Sequence, residues 1–159
     1  MSRIDPNSIR ARHRDLEVEV IESPGPGGEL RITVPGAHAK TLLARLVDEG
    51  ETAAKRLVDL TVIDRGAGQG ERRFEVVYRL HSASRDAAVR VHAVVAEADP
   101  SIESVLPLWP GAAWPEREAF DLFGLHFKGH PELRRLLLEP AFEGAPLRKG
   151  EPSASGAVR

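Results

Sequence analysis

The side chains in this chain whose types and spacing could do chemistry are a pair of glutamates and a pair of histidines. Glu116 and Glu118 stand two residues apart, and paired carboxylates are the usual equipment of general acid and base catalysis. On a helix, residues two apart point roughly 200° away from each other, so these groups cannot flank one bond. The spacing predicts helix-start charges held in ion pairs. His126 and His130 are four apart, as two imidazoles sharing a metal on one helix face would be. Gly129 and Pro131 spoil that helix, and no third ligand is spaced nearby. Gly66-Ala67-Gly68-Gln69-Gly70 has the letters of a phosphate loop, but it lies between two strand-like runs and opens no helix, which predicts a hairpin loop. The chain has no cysteine, which excludes disulfides, thiolate zinc sites, a thiol nucleophile and cysteine-ligated iron–sulfur clusters. There is no nucleophile elbow, and His13, His38, His81 and His92 have no neighbours suggesting a triad. The expectation is therefore no catalytic, cofactor-binding or metal-binding residue. The enzymatic alternative is a hydrolase using Glu116 or Glu118 with His130.

Two basic pairs suggest binding instead. Arg134-Arg135 precedes Leu136-Leu137-Leu138, and Arg148-Lys149 follows Pro146-Leu147. Such combinations of guanidinium donors with apolar anchors typify protein interfaces, and a proline-marked extended arm suits wrapping onto a neighbour.

The elements that position these residues can be read from periodicity. Asp5-Pro6 is an N-cap followed by an N1 proline, predicting a short basic helix toward Arg14. Leu16, Val18 and Val20 alternate with polar residues, as do Leu30, Ile32 and Val34 after the turn-forming Ser23 to Gly28, predicting two strands. Ala39, Leu42, Leu43, Leu46 and Val47 recur at helical spacing after Pro35-Gly36, with Gly50 as the stop. Three strands should follow, through Val58, Leu60 and Val62, then Phe74, Val76, Tyr78 and Leu80, then Val89, Val91, Ala93 and Val95. Asp99-Pro100 with Glu103 predicts a short helix from Pro100 to Leu108. A two-turn helix from Pro115 to Phe123 follows, with Pro115 at its first position, Ala119, Phe120, Leu122 and Phe123 as its apolar flank, and Gly124 as its left-handed stop. Arg117 and Asp121 are placed to pair at i,i+4. The sum is an α+β domain, a two-layer α-β2-α-β3 arrangement with helices against a mixed sheet and an extended C-terminal arm. Residues 1–149 are expected to form one domain, with a motif-rich region at 109–149, and 150–159 a disordered tail.

Across 159 residues, 22 basic side chains oppose 24 acidic ones, and 42% are hydrophobic. No stretch approaches a membrane span, and the polar start lacks the apolar core of a signal peptide, which predicts a cytoplasmic protein. Residues 1–14 carry a formal +3 and 126–149 a formal +2, leaving −7 on residues 15–125. An acidic body of this kind excludes a general nucleic-acid binder.

The run from Trp109-Pro110-Gly111 through Trp114-Pro115-Glu116-Arg117-Glu118-Ala119-Phe120-Asp121-Leu122-Phe123-Gly124, followed by Gly129-His130-Pro131-Glu132-Leu133-Arg134-Arg135 and Pro146-Leu147-Arg148-Lys149, closely resembles the C subunit of NADH-quinone oxidoreductase (respiratory complex I). A looser likeness extends through Leu57 to Thr61, Phe74 to Leu80 and Val89 to Val91. The resemblance implies a non-catalytic structural subunit of the peripheral arm that supports the quinone-reducing module. NADH, FMN, iron–sulfur clusters and quinone would then lie on partner subunits. The implied partners are the large quinone-site subunit and the small iron–sulfur subunit, and the implied location is the cytoplasmic face of the inner membrane, held there only through the complex. The implied partner-interface residues are Trp109, Trp114, Glu116, Arg117, Glu118, Asp121, Phe123, Gly124, His130, Pro131, Arg134, Arg135, Pro146, Leu147, Arg148 and Lys149. Glu116, Arg117, Glu118, Asp121, Arg134 and Arg135 are expected in ion-paired contacts inside the C-terminal region and with the large subunit, with Trp109, Trp114, Phe120 and Phe123 as apolar anchors. Where the family has Gly-His-Pro-Leu-Arg-Lys-Asp, this chain has Gly144-Ala145-Pro146-Leu147-Arg148-Lys149-Gly150. It also ends without the longer C-terminal extension of some members. The equivalent subunit of a membrane-bound [NiFe] hydrogenase or formate hydrogenlyase-type complex shares these motifs and stands as the alternative.

Overall fold

A computed structural model describes residues 4–22, 29–48 and 53–150. The turn expected at Ser23 to Gly28, the Gly50 stop and the tail after Gly150 lie outside the described residues. Helix α1 (Pro6–Arg12) begins as its sequence predicts, with the Asp5 carboxylate accepting from the amides of Asn7 and Ser8. Strands β1 (Glu19–Glu22) and β2 (Leu30–Pro35) are antiparallel. Helix α2 (Gly36–Asp48) buries Ala39, Leu42, Leu43 and Leu46 on one stripe. Strands β3 (Arg56–Asp64), β4 (Phe74–Ser82) and β5 (Ala87–Val95) form a meander. Strand β5 returns beside β2 in parallel, giving a mixed five-stranded sheet in the order β1-β2-β5-β4-β3.

The period-2 pattern decides which face packs into the hydrophobic core. Leu30, Ile32 and Val34, with Phe74, Val76, Tyr78 and Leu80 and with Val89, Val91, Ala93 and Val95, join α1, α2 and the aromatic C-terminal region in one core. The alternate positions, among them Arg31, Val77, Arg79 and Arg90, lie outside that core.

Three local expectations need correction. Leu16 does not open a strand: its amide bonds to the His13 carbonyl in a 3₁₀ turn (Arg14–Leu16), and Glu17 turns left-handed at φ 55° before β1 begins. In β3 a bulge between Leu57 and Asp59 turns Val58 outward, where it is 47% exposed. The helix expected from Pro100 to Leu108 is instead strand β6 (Ser101–Glu103), parallel to β7 (His126–Lys128). Asp99 accepts from the Ser101 hydroxyl rather than from a helix N-terminus, and Ile102 and Phe127 are paired and buried. A tertiary strand partner here outweighs a local capping signal.

Leu42→Ala should lower the unfolding free energy by about 2–5 kcal/mol. Val58→Ala should cost less than about 1 kcal/mol, because the bulge has already placed that side chain in water. Urea denaturation of the two variants measures both.

Candidate functional site

Everything the sequence marked out in 109–149 is organised by helix α3 (Ala113–Phe123), entered through a 3₁₀ turn (Pro110–Ala112) and closed by Gly124 at φ 67°. The helix starts two residues before Pro115, which is tolerated in the first turn because its missing N–H is among those without an intrahelical partner.

Glu116 and Asp121 are both fully buried. Glu116 reaches back to the segment before the helix: its carboxylate accepts from the Ser104 hydroxyl at 2.7 Å and from the Val105 amide at 2.7 Å. Burial raises its pKa above the ordinary glutamate value, and the two hydrogen bonds offset this only in part. Asp121 reaches forward. One oxygen accepts from the consecutive amides of Leu136, Leu137 and Leu138 at 3.0, 2.7 and 2.9 Å, and the other pairs with Arg135 at 2.8 Å. Burial pushes its pKa up, but the amides and the guanidinium together outweigh burial and hold it below the usual range. Three amides converging on one anion satisfy donors that no helix or strand uses.

Arg117 does not pair with Asp121. Its guanidinium donates to the carbonyls of Arg134 and Arg135 at 3.1 and 3.0 Å and lies over the Trp114 ring at 5.5 Å. Asp121 is committed to the amides and to Arg135, which leaves Arg117 to cap the carbonyls of the same segment. Glu116 is likewise held by neutral donors rather than in an ion pair, and Glu118 faces solvent. Trp109 is an anchor, buried with its indole N–H donating to the Lys55 carbonyl at 2.8 Å. Trp114 lies outside the core and is 64% exposed. Phe120 and Phe123 pack against the core.

His130 and His126 share no helix. His126 is in β7, and His130 lies in the following turn, bonded to the Ala113 carbonyl and the Glu132 amide. Pro131 is exposed beside it, and Arg134, also exposed, pairs with Glu132. Among the described residues no group of three or more histidines, cysteines or carboxylates converges as a metal site would require.

The arm then returns to the helix. Leu147, half exposed, donates its amide to the Leu122 carbonyl, while Pro146 is partly buried. Arg148 donates to the carbonyls of Phe123 and Gly124 at the C-terminus of α3, where the helix dipole favours a cation. A Cβ on Gly124 would sit 2.9 Å from this guanidinium, which would have to shift, and the positive φ of Gly124 favours glycine there. The Lys149 amide donates to Asp64 at 2.8 Å, and its carbonyl accepts from Arg73, which also pairs with Asp64 and Glu97. Arg73 and Arg148 both lie over the Phe74 ring, at 4.9 and 5.3 Å. Ser104, Asp64, Arg73 and Glu97 thus belong to the site although nothing in their local sequence marks them, and Phe74, legible as a strand residue, belongs to it too.

The family model described as "Respiratory-chain NADH dehydrogenase, 30 Kd subunit" matches residues 32–156, which include the whole of this constellation. The chain belongs to that family. It is 41% identical over 126 residues to the NADH-quinone oxidoreductase C subunit of Rhizobium johnstonii, covering 79% of this chain and 62% of that protein. With the corresponding C subunit of Thiobacillus denitrificans the identity is 45% over 145 residues, covering 87% and 70%. Among solved structures, the trypsin-resistant fragment (1-134) of Nqo5 superposes with a TM-score of 0.63 at 29% identity, covering 80% of this chain and 95% of that one. A chain of an archaeal membrane-bound sulfane sulfur reductase shares the fold with a TM-score of 0.59 at 20% identity, covering 83% and 73%.

Asp121→Asn leaves Arg135 without its countercharge and turns an amide toward backbone donors, and should cost about 3–5 kcal/mol of stability at neutral pH. The two carboxylates should act oppositely on the pH profile. The Asp121 contribution is present above its unfolded pKa and is lost as pH falls through its depressed folded value, whereas that of Glu116 is greatest below its unfolded pKa and fades as pH rises through its raised folded value. Denaturation across pH 3–8, a window of about five units, should show Asp121→Asn reducing the acid-side loss, to which Asp64 and Glu75 also contribute through their own lowered pKa values, and Glu116→Gln reducing the decline on the other side.

Proposed function

We propose that this chain is a non-catalytic structural subunit of the peripheral arm of a proton-translocating NADH-quinone oxidoreductase, where it supports the quinone-reducing module. The observation that carries this reading is the family match across the segment that α3 organises. The relatives named as C subunits of NADH-quinone oxidoreductase add to it. The chain spans 62% of the length of the Rhizobium relative, so the activity is that of the assembly, proposed by likeness. The partners are the large quinone-site subunit and the small iron–sulfur subunit, and NADH, FMN, iron–sulfur clusters and quinone belong to partner chains. No helix among the described residues is long and apolar enough to cross a membrane. Contact with the cytoplasmic face of the inner membrane is through the complex.

The geometry divides the interface residues into two groups. Trp109, Glu116, Asp121, Phe123, Gly124, His130, Arg135 and Arg148 face inward and hold the arm in shape. Trp114, Arg117, Glu118, Pro131, Arg134, Pro146, Leu147 and Lys149 form the outer surface or border it, together with Leu137, which is 64% exposed. Arg117 stacks on Trp114 and holds the carbonyls just before Leu137, so one guanidinium joins an exposed aromatic to an exposed aliphatic anchor. Aromatic and arginine groups of this kind dominate the energetics of protein interfaces. No observation favours the hydrogenase alternative.

A tagged chain pulled down from native membranes in mild detergent should bring the other NADH dehydrogenase chains and NADH-quinone activity. Recovery of nickel and hydrogenase chains, or of the chain alone, would contradict the assignment. Trp114→Ala and Leu137→Ala should each lower retention in the complex about tenfold, the equivalent of ~1.4 kcal/mol, with the melting temperature of the chain alone unchanged.

A further inference from the structure

The face of the sheet turned away from the core carries a feature that folding alone does not explain. Strand register places Arg31, Arg90 and Arg79 directly beside one another on β2, β5 and β4, with Ile21 and Asp59 at the two ends of the row. Like charges opposite one another on neighbouring strands oppose sheet formation. Each of these arginine side chains is more than a third exposed. The next row is Thr33, His92, Val77 and Thr61. Its members Thr33, His92 and Val77 are nearly covered although they lie outside the core.

The arginines are only partly satisfied within the chain. Arg79 and Arg90 share one carboxylate, Glu29, at 3.2 and 2.8 Å. Arg31 stands 3.7 Å from Glu75, beyond hydrogen-bond distance, and that carboxylate is already engaged by Arg65 at 2.8 Å and His92 at 2.9 Å. The Arg31 Nε is buried with no hydrogen-bond partner among the described residues. The donors an external acceptor can reach are the exposed guanidinium nitrogens of this row that Glu29 and Glu75 leave unfilled.

We propose that this open sheet face, centred on Arg31, Arg90 and Arg79, is a second interface, distinct from the α3 surface, and that it receives a carboxylate-bearing surface of another chain of the complex. The proposal rests on the assembly reading above and deepens it by naming the partner's chemistry. Guanidinium groups side by side fit carboxylates bidentately, and partner carboxylates would relieve the row's repulsion on docking. Nucleic acid and anionic lipid fit less well, because Glu29, Asp59 and Glu75 interrupt the basic surface that a run of phosphates requires.

The test uses the tagged full chain in native membranes, with a benzophenone amino acid in place of Thr61, an exposed position on this face. On irradiation of the purified complex it should link to a segment of a partner chain rich in Asp and Glu. Combining it with Arg79→Gln and Arg90→Gln should lower the yield of that link at least tenfold, while the melting temperature of the chain alone stays level, because the two pairs to Glu29 that are lost involve half-exposed guanidinium groups. A complex that assembles with Thr61 unlinked, or linked to lipid, nucleic acid or a segment without carboxylates, overturns this proposal alone. A fall in melting temperature that accompanies the lost link assigns the arginines to the fold and also overturns it. A chain that enters no complex overturns both readings.

Discussion

The carboxylate of Asp121 is the interaction on which the C-terminal half depends. A buried anion is costly unless its lone pairs are filled, and this one is filled by three consecutive amides and a guanidinium. The amides need it equally, since residues 136–138 belong to no helix or strand and would otherwise leave donors without an intramolecular partner. Each side thus removes a penalty the other would face. An irregular arm, poor in apolar periodicity, thereby acquires one backbone path.

The remaining ties distribute the same logic along the eleven residues of α3. Glu116 fixes what precedes the helix, Arg117 the carbonyls of 134 and 135, Asp121 the amides that follow, and the last carbonyls of the helix hold Arg148. A second tether, Lys149 to Asp64 and Arg73, returns the arm to the β3–β4 end of the sheet. Glu116, Asp121, Arg135 and Arg148 are thus spent inside the chain, and the apolar part of the surface left outside is set by Trp114, Leu137 and Leu147. A motif rich in charge is in this way compatible with an interface whose anchors are apolar.

The fold was legible where periodicity is strong. The α2 stripe and the alternation of β2, β4 and β5 report which side chains join the core, and the two-layer mixed sheet agrees with them. It was less legible where partners are distant in sequence. The Asp99-Pro100 signal is a genuine helix start by local chemistry, yet β7, more than twenty residues on, captures the segment as a strand. The i,i+4 rule placed Arg117 opposite Asp121, but both were claimed by backbone groups over a dozen residues away. Asp64 and Arg73 carried no signal because their role exists only once the arm returns from position 149. Membership of the family, by contrast, was readable from the ordered motifs of 109–149 before any geometry was known.

If buried carboxylates on α3 give the arm its shape, the amides they hold must be slow to exchange with solvent. Amide hydrogen exchange on the full chain, resolved at residues 136, 137 and 138, reads this out. Those three amides should be protected in the native chain to the level of the core strands, and Asp121→Asn should release all three while α2 stays protected. Free exchange of the three amides in the native chain, or protection that survives Asp121→Asn, would show that something other than this carboxylate shapes the arm.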